Sequence, residues 1–250
     1  MGLRSFTADL HIHSVLSPCG DYDMAPGPIL EQAQKHKLDI IAITDHNSGA
    51  NVNAFCEASR RMNIYVLPGM EVTTEEEAHV LTFFDTIEAL MTWQAIVYTA
   101  LPPIKNREEL FGVQVEVAAD NTVKKVNDRF LAGTTSLSID TVVAQVNALG
   151  GMCIPAHVDK PGFSVIGRLG SIPPDLHIIG VEVYRTRTLS DAQQEFPDTK
   201  TYSVVRGSDA HYLQDVGSAS TCYFIESPTI HELRKALLRQ DGRCFRVDPL

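Results

Sequence analysis

The sequence predicts an α/β barrel, and three observations carry that expectation. Short apolar, β-branched runs alternate with segments of helical spacing. The length of 250 residues suits one domain of this kind. Histidines and acidic residues recur where the apolar runs end, as His11-Ile12-His13, Thr44-Asp45-His46, Gly69-Met70-Glu71, His79, Ala156-His157 and Ser208-Asp209-Ala210-His211. Ligands of β/α sheets collect at the carboxyl ends of strands, so these residues predict a site at one end of the sheet.

Thr7–His13 reads as the first strand, followed by a turn through Pro18–Tyr22. A helix from about Pro26 to Lys37 follows, with Pro26 and Pro28 tolerated in its first turn. Asp39–Thr44 is a nearly all-apolar run of the type buried on both faces of a parallel sheet. A helix over Ala50–Met62 leads to a strand at Ile64–Leu67, after which Pro68-Gly69 reads as a turn. Ala78–Phe84 gives the next strand.

Beyond residue 140, a helix over Thr141–Leu149 stops at Gly150-Gly151. Strands are expected at Met152–Pro155, Ile178–Val183, Tyr202–Val205 and Ser220–Ile225. The last helix opens at Ser227-Pro228-Thr229, with a Thr229-x-x-Glu232 capping pattern, and ends near Gly242. Repeated βα units imply parallel strands and right-handed crossovers. Residues 102–138 break the rhythm. Phe111–Val117 and Thr122–Val126 predict a hairpin, and the segment is too short for a core of its own. It is therefore expected as a rim insertion on a single 1–250 domain.

Composition narrows the function. Hydrophobic content of 44% and charged content of 21% are those of a globular chain. No apolar run approaches the roughly 20 residues that span a bilayer. The opening MGLRSFTADL lacks a signal-peptide core, so a cytoplasmic location is expected. The five cysteines are odd in number and none forms a CxxC, against both a disulfide framework and a thiolate zinc site. A net charge of −10 predicts that a long nucleic acid is a poor partner and a small phosphorylated substrate an acceptable one.

His11 and His13 lie two apart on a strand and share a face, so both can bind one cation. Singly, each histidine or carboxylate in the set has an ordinary explanation as a cap, turn or loop residue. Together, at the ends of successive strands, they predict a polynuclear centre, because imidazole and carboxylate are the ligands divalent transition metals prefer.

With HxH, a strand-terminal TDH, a Glu, later histidines and a closing DxH, the chain resembles the PHP (polymerase and histidinol phosphatase) family of metal-dependent phosphoesterases. The resemblance spans His11 to His211 and implies a distorted (β/α)7 TIM-like barrel with two or three divalent ions (Zn, Mn or Fe) in its mouth. It implies that His11, His13, Glu71 and Asp209 bind a first metal. Glu71 would bridge to a second, held by His79 and His157. His46 and His211 would share a third with a residue of the loop after HxH. Many members have Ser-Asp-Gly there, whereas this chain has Ser17-Pro18-Cys19-Gly20-Asp21. Counting back from Pro26 places Asp21 at the ligand position, with Asp23 and Cys19 as the alternatives.

Two cations roughly 3.5–4 Å apart lower the pKa of a bridging water and hold hydroxide in line with phosphorus. Asp9 and Asp45 are candidates for orienting the imidazoles. Lys160, Arg185 and Arg206 are candidate phosphate contacts near strand ends, and His177 a candidate acid. His36 and His231 read as helix-surface residues. The expected activity is hydrolysis of a phosphate ester of a small metabolite or nucleotide by metal-activated water. The alternatives are a noncatalytic metal-binding module, an exonuclease or phosphodiesterase acting on oligonucleotide ends, and an amidohydrolase.

Overall fold

A computed structural model describes residues 2–247. The elements follow in the order β1 (Arg4–Ile12), α1 (Pro26–Lys35), β2 (Ile40–Ile43), α2 (Val52–Ala58), β3 (Tyr65–Thr73), β4 (His79–Phe83) and α3 (Ile87–Ala100). Residues 102–138 contribute α4 (Glu108–Phe111), β5 (Val115–Val117) and β6 (Val123–Val126). Then come α5 (Ile139–Ala148), β7 (Met152–Pro155), α6 (Val165–Leu169), β8 (Gly180–Glu182), α7 (Leu189–Glu195) and β9 (Ser203–Val205). The described chain closes with β10 (Thr221–Ile225), α8 (Ile230–Leu237) and β11 (Cys244–Val247).

The sheet is mixed and curled. Its strands run β11-β10-β1-β2-β3-β4-β7, with β8 and β9 as a separate parallel pair. Pairing is parallel through β1, β2 and β3, as the apolar runs predict, but β4 is antiparallel to both β3 and β7. The expectation of uniformly parallel strands fails there because only five residues join β3 to β4, too few for a crossover helix. β10 and β11 extend the β1 edge, also antiparallel.

The β8–β9 pair brings the two ends of the curl together. Val158 N–H, after β7, donates to Glu182 O at 2.9 Å. On the other side His13 N–H donates to Ala210 O at 2.9 Å, beyond β9. The carboxyl ends of β1, β2, β8 and β9, with the residues after β7, therefore face one mouth.

Both faces of the sheet are covered. Ile41, Ile43, Val66 and Val72 pack outward with Ile29, Phe55, Trp93 and Val142 from the helices. Ala8, Ile40, Leu67, Leu81 and Ile154 pack on the inner side with Leu233 and Leu237 of α8. Thr86, Ser138, Ser164, Thr188 and Thr229 cap helices by accepting backbone N–H bonds.

Two local expectations are corrected. Pro68-Gly69 is not a turn: β3 runs straight through it, with Pro68 in register with Ile43. Gly69 is needed by close approach, since a Cβ there would lie 3.0 Å from Thr44 Cγ2 and 3.1 Å from Phe83 Cδ1. Within residues 102–138, 111–117 is not one strand. Gly112 turns the chain at φ +89° between α4 and β5, where a Cβ would meet Pro18 O at 2.6 Å. The hairpin β5–β6 lies over the loop after β1, with Val115 N–H donating to Val15 O and Asn51 bonded to both Val115 and Val117.

Among the described residues, no helix is long and apolar enough to cross a membrane.

Candidate metal centre

His11 and His13 extend from the end of β1 into the mouth with their Nε2 atoms 3.2 Å apart. The network behind them decides which nitrogen carries the proton. Glu182, at the end of β8, accepts from His11 Nδ1 at 2.8 Å. The Ser17 hydroxyl gives its proton to Asp45 Oδ1 at 2.7 Å, so it accepts from His13 Nδ1 at 2.9 Å. In the neutral rings, both Nε2 lone pairs then face each other. Two such lone pairs repel, and a cation between them removes the repulsion.

The acidic partners surround the same point. Glu71 Oε1 lies 3.3 Å from His11 Nε2, and Glu71 Oε2 lies 3.5 Å from His13 Nε2. Asp209 Oδ1 lies 3.4 and 3.5 Å from the two Nε2 atoms. Two nitrogens bound to one tetrahedral or octahedral cation at roughly 2.0–2.1 Å sit about 2.9–3.4 Å apart, so the donor set fits a metal.

The remaining histidines ring Glu71. Glu71 Oε1 is 3.1 Å from His79 Nδ1 and 3.4 Å from His157 Nε2, and Oε2 is 2.9 Å from His46 Nδ1. Both Glu71 oxygens, His46 Nδ1, His79 Nδ1 and His157 Nδ1 are buried and make no hydrogen bond. Buried polar atoms are ordinarily paired, so orphans concentrated at one point indicate a missing ligand. His13, His46 and His211 form a further cluster whose donor atoms lie within 4.8 Å of one another.

Backbone strain marks the same place. His157 and Asp209 hold φ of +30° and +49°, a left-handed conformation that non-glycine residues adopt at a cost. Gly207 is required beside them, since a Cβ would lie 2.7 Å from Glu182 Oε1.

The charges are strongly coupled. Burial disfavours the imidazolium of His11, but the carboxylates of Glu182, Asp209 and Glu71 outweigh it and raise its pKa well above the ordinary value. His13 is pushed well below by burial and by the neighbouring His211. Burial also takes His79 down to about 4, against the pull of Glu71. Burial would raise Glu71, yet His79 and His11 hold it well below the usual carboxylate range. Asp209 is likewise depressed, with the charge of His11 overcoming burial.

The loop after β1 departs from the expected ligand. Asp21 accepts from Asp23 N–H at 3.1 Å and so caps its own turn, while its N–H is tied to His211 O at 2.9 Å. Cys19, exposed at the rim, instead lines the cavity together with His46 and His211. Desolvation would raise its thiol, but the neighbouring His46 and His211 bring it down to about 6. Cys19 lines both this cavity and the small pocket beside it, whereas Asp21 lines only the latter.

The substrate-side candidates separate clearly. The cavity of about 430 Å³ is lined by the clustered residues with Lys160, Phe163, Leu110 and Phe111. Lys160 Nζ holds Asp209 Oδ2 at 2.5 Å. Arg185 lies off the cavity, bound to Ser208 O and Asp215. Arg206 is buried behind the site and donates to Arg185 O. His177 is exposed and precedes β8, so it lies at the amino end of that strand, away from the mouth. Phe163 stacks on His79 with ring centroids 4.9 Å apart and accepts from His79 N–H through its carbonyl.

Asp9 and Asp45 touch no imidazole directly. Asp9 accepts from Ser208 and Gly217 N–H and so orders the DxH loop; burial raises its pKa to about 6 against these hydrogen bonds. Asp45 reaches His13 only through Ser17. The orienter that sequence reasoning missed is Glu182. Its one signal is an acidic residue at the carboxyl end of an otherwise apolar strand.

A sequence profile of the PHP domain matches residues 9–164, more than half of the chain. The chain belongs to the PHP domain family. Solved structures show the same fold. The lesion-specific endonuclease PfuEndoQ of Pyrococcus furiosus superposes with a TM-score of 0.73 at 18% identity, covering 97% of this chain and 58% of that one. An endonuclease Q complex with a 27-mer duplex bearing an abasic lesion at its active site gives 0.69 at 17% identity, over 96% and 58% of the two chains. A two-domain Bacteroides vulgatus protein containing a predicted PHP-like metal-dependent phosphoesterase gives 0.57 at 16% identity, over 99% and 65%.

This PHP domain thus spans little more than half the length of the endonucleases it resembles. Their duplex complex overturns one expectation from composition. Net charge does not by itself argue against a long nucleic acid, because an endonuclease Q of similar fold is seen in complex with a duplex whose abasic lesion lies at that enzyme's active site. What matters is the field around the cavity rather than the sum over the chain.

Proposed function

We propose that this PHP domain is a metal-dependent hydrolase of nucleic-acid phosphodiesters. The observation that supports it most directly is the His11–His13 pair, whose convergent Nε2 atoms meet Glu71 and Asp209 within 3.5 Å. His11, His13, Glu71 and Asp209 would hold one cation, Glu71, His79 and His157 a second, and His46 and His211 a third. When bound, the ions supply an activated water and neutralise charge on the phosphoryl oxygens.

The chain's own residues prepare this chemistry. Glu182 and Ser17 fix the tautomers that present Nε2 to the mouth. Lys160 holds Asp209 in place and is also the cation nearest an entering phosphate. Among the described residues it is the one Lys or Arg lining the cavity. Phe163, Leu110 and Phe111 give the mouth an apolar, partly aromatic wall, a surface on which a base can stack. The similarity in fold to a lesion-specific endonuclease supports the same substrate class.

The test is direct. Metal-loaded protein is offered an abasic duplex, the undamaged duplex, its single strand and a 5′-mononucleotide. Strand cleavage without phosphate release from the mononucleotide is the expected result. Phosphate release from the mononucleotide alone would assign a phosphomonoesterase instead.

A further inference from the structure

We propose that Cys19 supplies a thiolate ligand to the third cation of this centre, where the resemblance implies an acidic or histidine side chain. The subsite would then favour a thiophilic divalent ion such as zinc or iron(II). This rests on the metal-centre reading above and adds to it a ligand that selects the metal.

Three observations converge on the thiol. The loop that should deliver an acidic ligand spends Asp21 on its own turn, through Asp23 N–H. Successive turns, Ser17 N–H to Ser14 O and Gly20 N–H to Ser17 O, carry the chain so that Cys19, exposed at the rim, lines the same cavity as His46 and His211. Gly20 permits that path, since a Cβ there would lie 2.6 Å from Ser14 O. Independently, Glu71 is 1% exposed with both oxygens unbonded, and Oε2 points at His46 Nδ1 from 2.9 Å. Glu71 thus turns an unpaired oxygen toward His46, which lines the same cavity as Cys19.

The chemistry follows from ligand softness. Thiolate beside imidazole favours zinc or iron over manganese or magnesium, which prefer an all-oxygen shell. Binding releases the thiol proton to solvent, and no electron changes hands. The other cysteines are remote from the cavity lining, so a sulfur signal from the centre has one source.

The experiment is zinc-edge X-ray absorption with metal counting on the zinc-loaded wild type, Cys19→Ser and Asp21→Asn, each matched by circular dichroism. We expect a sulfur scatterer at roughly 2.3 Å in the wild type and in Asp21→Asn, and none in Cys19→Ser. Cobalt substitution should show a thiolate-to-cobalt charge-transfer band that disappears in the same variant. Metal loading should also protect Cys19 from alkylation. A wild-type shell of nitrogen and oxygen alone, or a sulfur that persists in Cys19→Ser, overturns the proposal. Loss of a metal equivalent in Asp21→Asn but not in Cys19→Ser also overturns it. If sulfur is found and no diester is cleaved, the hydrolase reading fails and the ligand stands. Cleavage by a sulfur-free centre does the reverse.

Discussion

His11 Nε2 faces His13 Nε2 across 3.2 Å, and the far nitrogen of each ring is already committed, to Glu182 and to Ser17. Neither ring can turn its lone pair away without breaking a buried hydrogen bond. The pair therefore holds either a shared proton or a cation. The raised pKa of His11 and the lowered pKa of His13 describe the proton-filled form.

Glu182 should matter although it touches no substrate. Glu182→Gln removes the charge that holds His11 Nδ1–H and weakens the hold on His157 N–H. Partners that orient metal ligands typically contribute about 10- to 100-fold in metal affinity, and a loss of that size is expected. Competition with a chelating dye measures it.

The metal-free protein should lose stability toward alkaline pH. His11 has a raised folded pKa, so its contribution is complete below its unfolded value and disappears as pH rises through the folded one. Glu71 and Asp209 have depressed folded values, so theirs is present above the unfolded carboxylate range and is lost only in acid. Thermal melts across pH should therefore show the metal-free form falling above neutrality. The metal-loaded form, in which the cation replaces the His11 proton, should fall less. Parallel curves would contradict the shared-proton picture.

Lys160→Met should separate binding from metal loading. It removes a charge-assisted bond to Asp209 and the cavity's cation. Such bonds contribute about 1.5–3 kcal/mol, so kcat/KM on a diester should fall roughly 10- to 100-fold. Metal content should stay near that of the wild type, as measured by inductively coupled plasma mass spectrometry.

His177→Ala should be silent. The residue is exposed at the amino end of β8, so activity should be unchanged and stability should shift by no more than about 0.5 kcal/mol. A large loss of rate would mean that the acid lies where the fold does not place it.

Much of this centre was legible because ligand spacing follows strand geometry. The period of two put His11 and His13 on one face, and the apolar run before Asp45-His46 announced its own end. Glu71 was legible as a ligand type but not as a strand residue, because Pro68-Gly69 mimics a turn and only the tight packing against Thr44 and Phe83 reveals the strand. Glu182 was hidden since nothing local separates an orienting carboxylate from a chance acidic residue in β8. Cys19 and Asp21 stand two residues apart in one tight turn, and spacing from Pro26 cannot tell which of them lines the cavity. The long helix α3 shows the same limit. Its apolar residues fall on nearly every side, so no stripe marks the face that buries Leu90, Trp93 and Val97.

On the proposed function, this cluster of imidazoles and carboxylates holds the cations on which phosphodiester cleavage depends. The most direct test removes metal stepwise with a chelator and records metal equivalents per chain against cleavage of an abasic duplex. Activity should fall in step with the metals and return on adding zinc, manganese or iron(II). Undiminished cleavage by protein shown to be metal-free would contradict it.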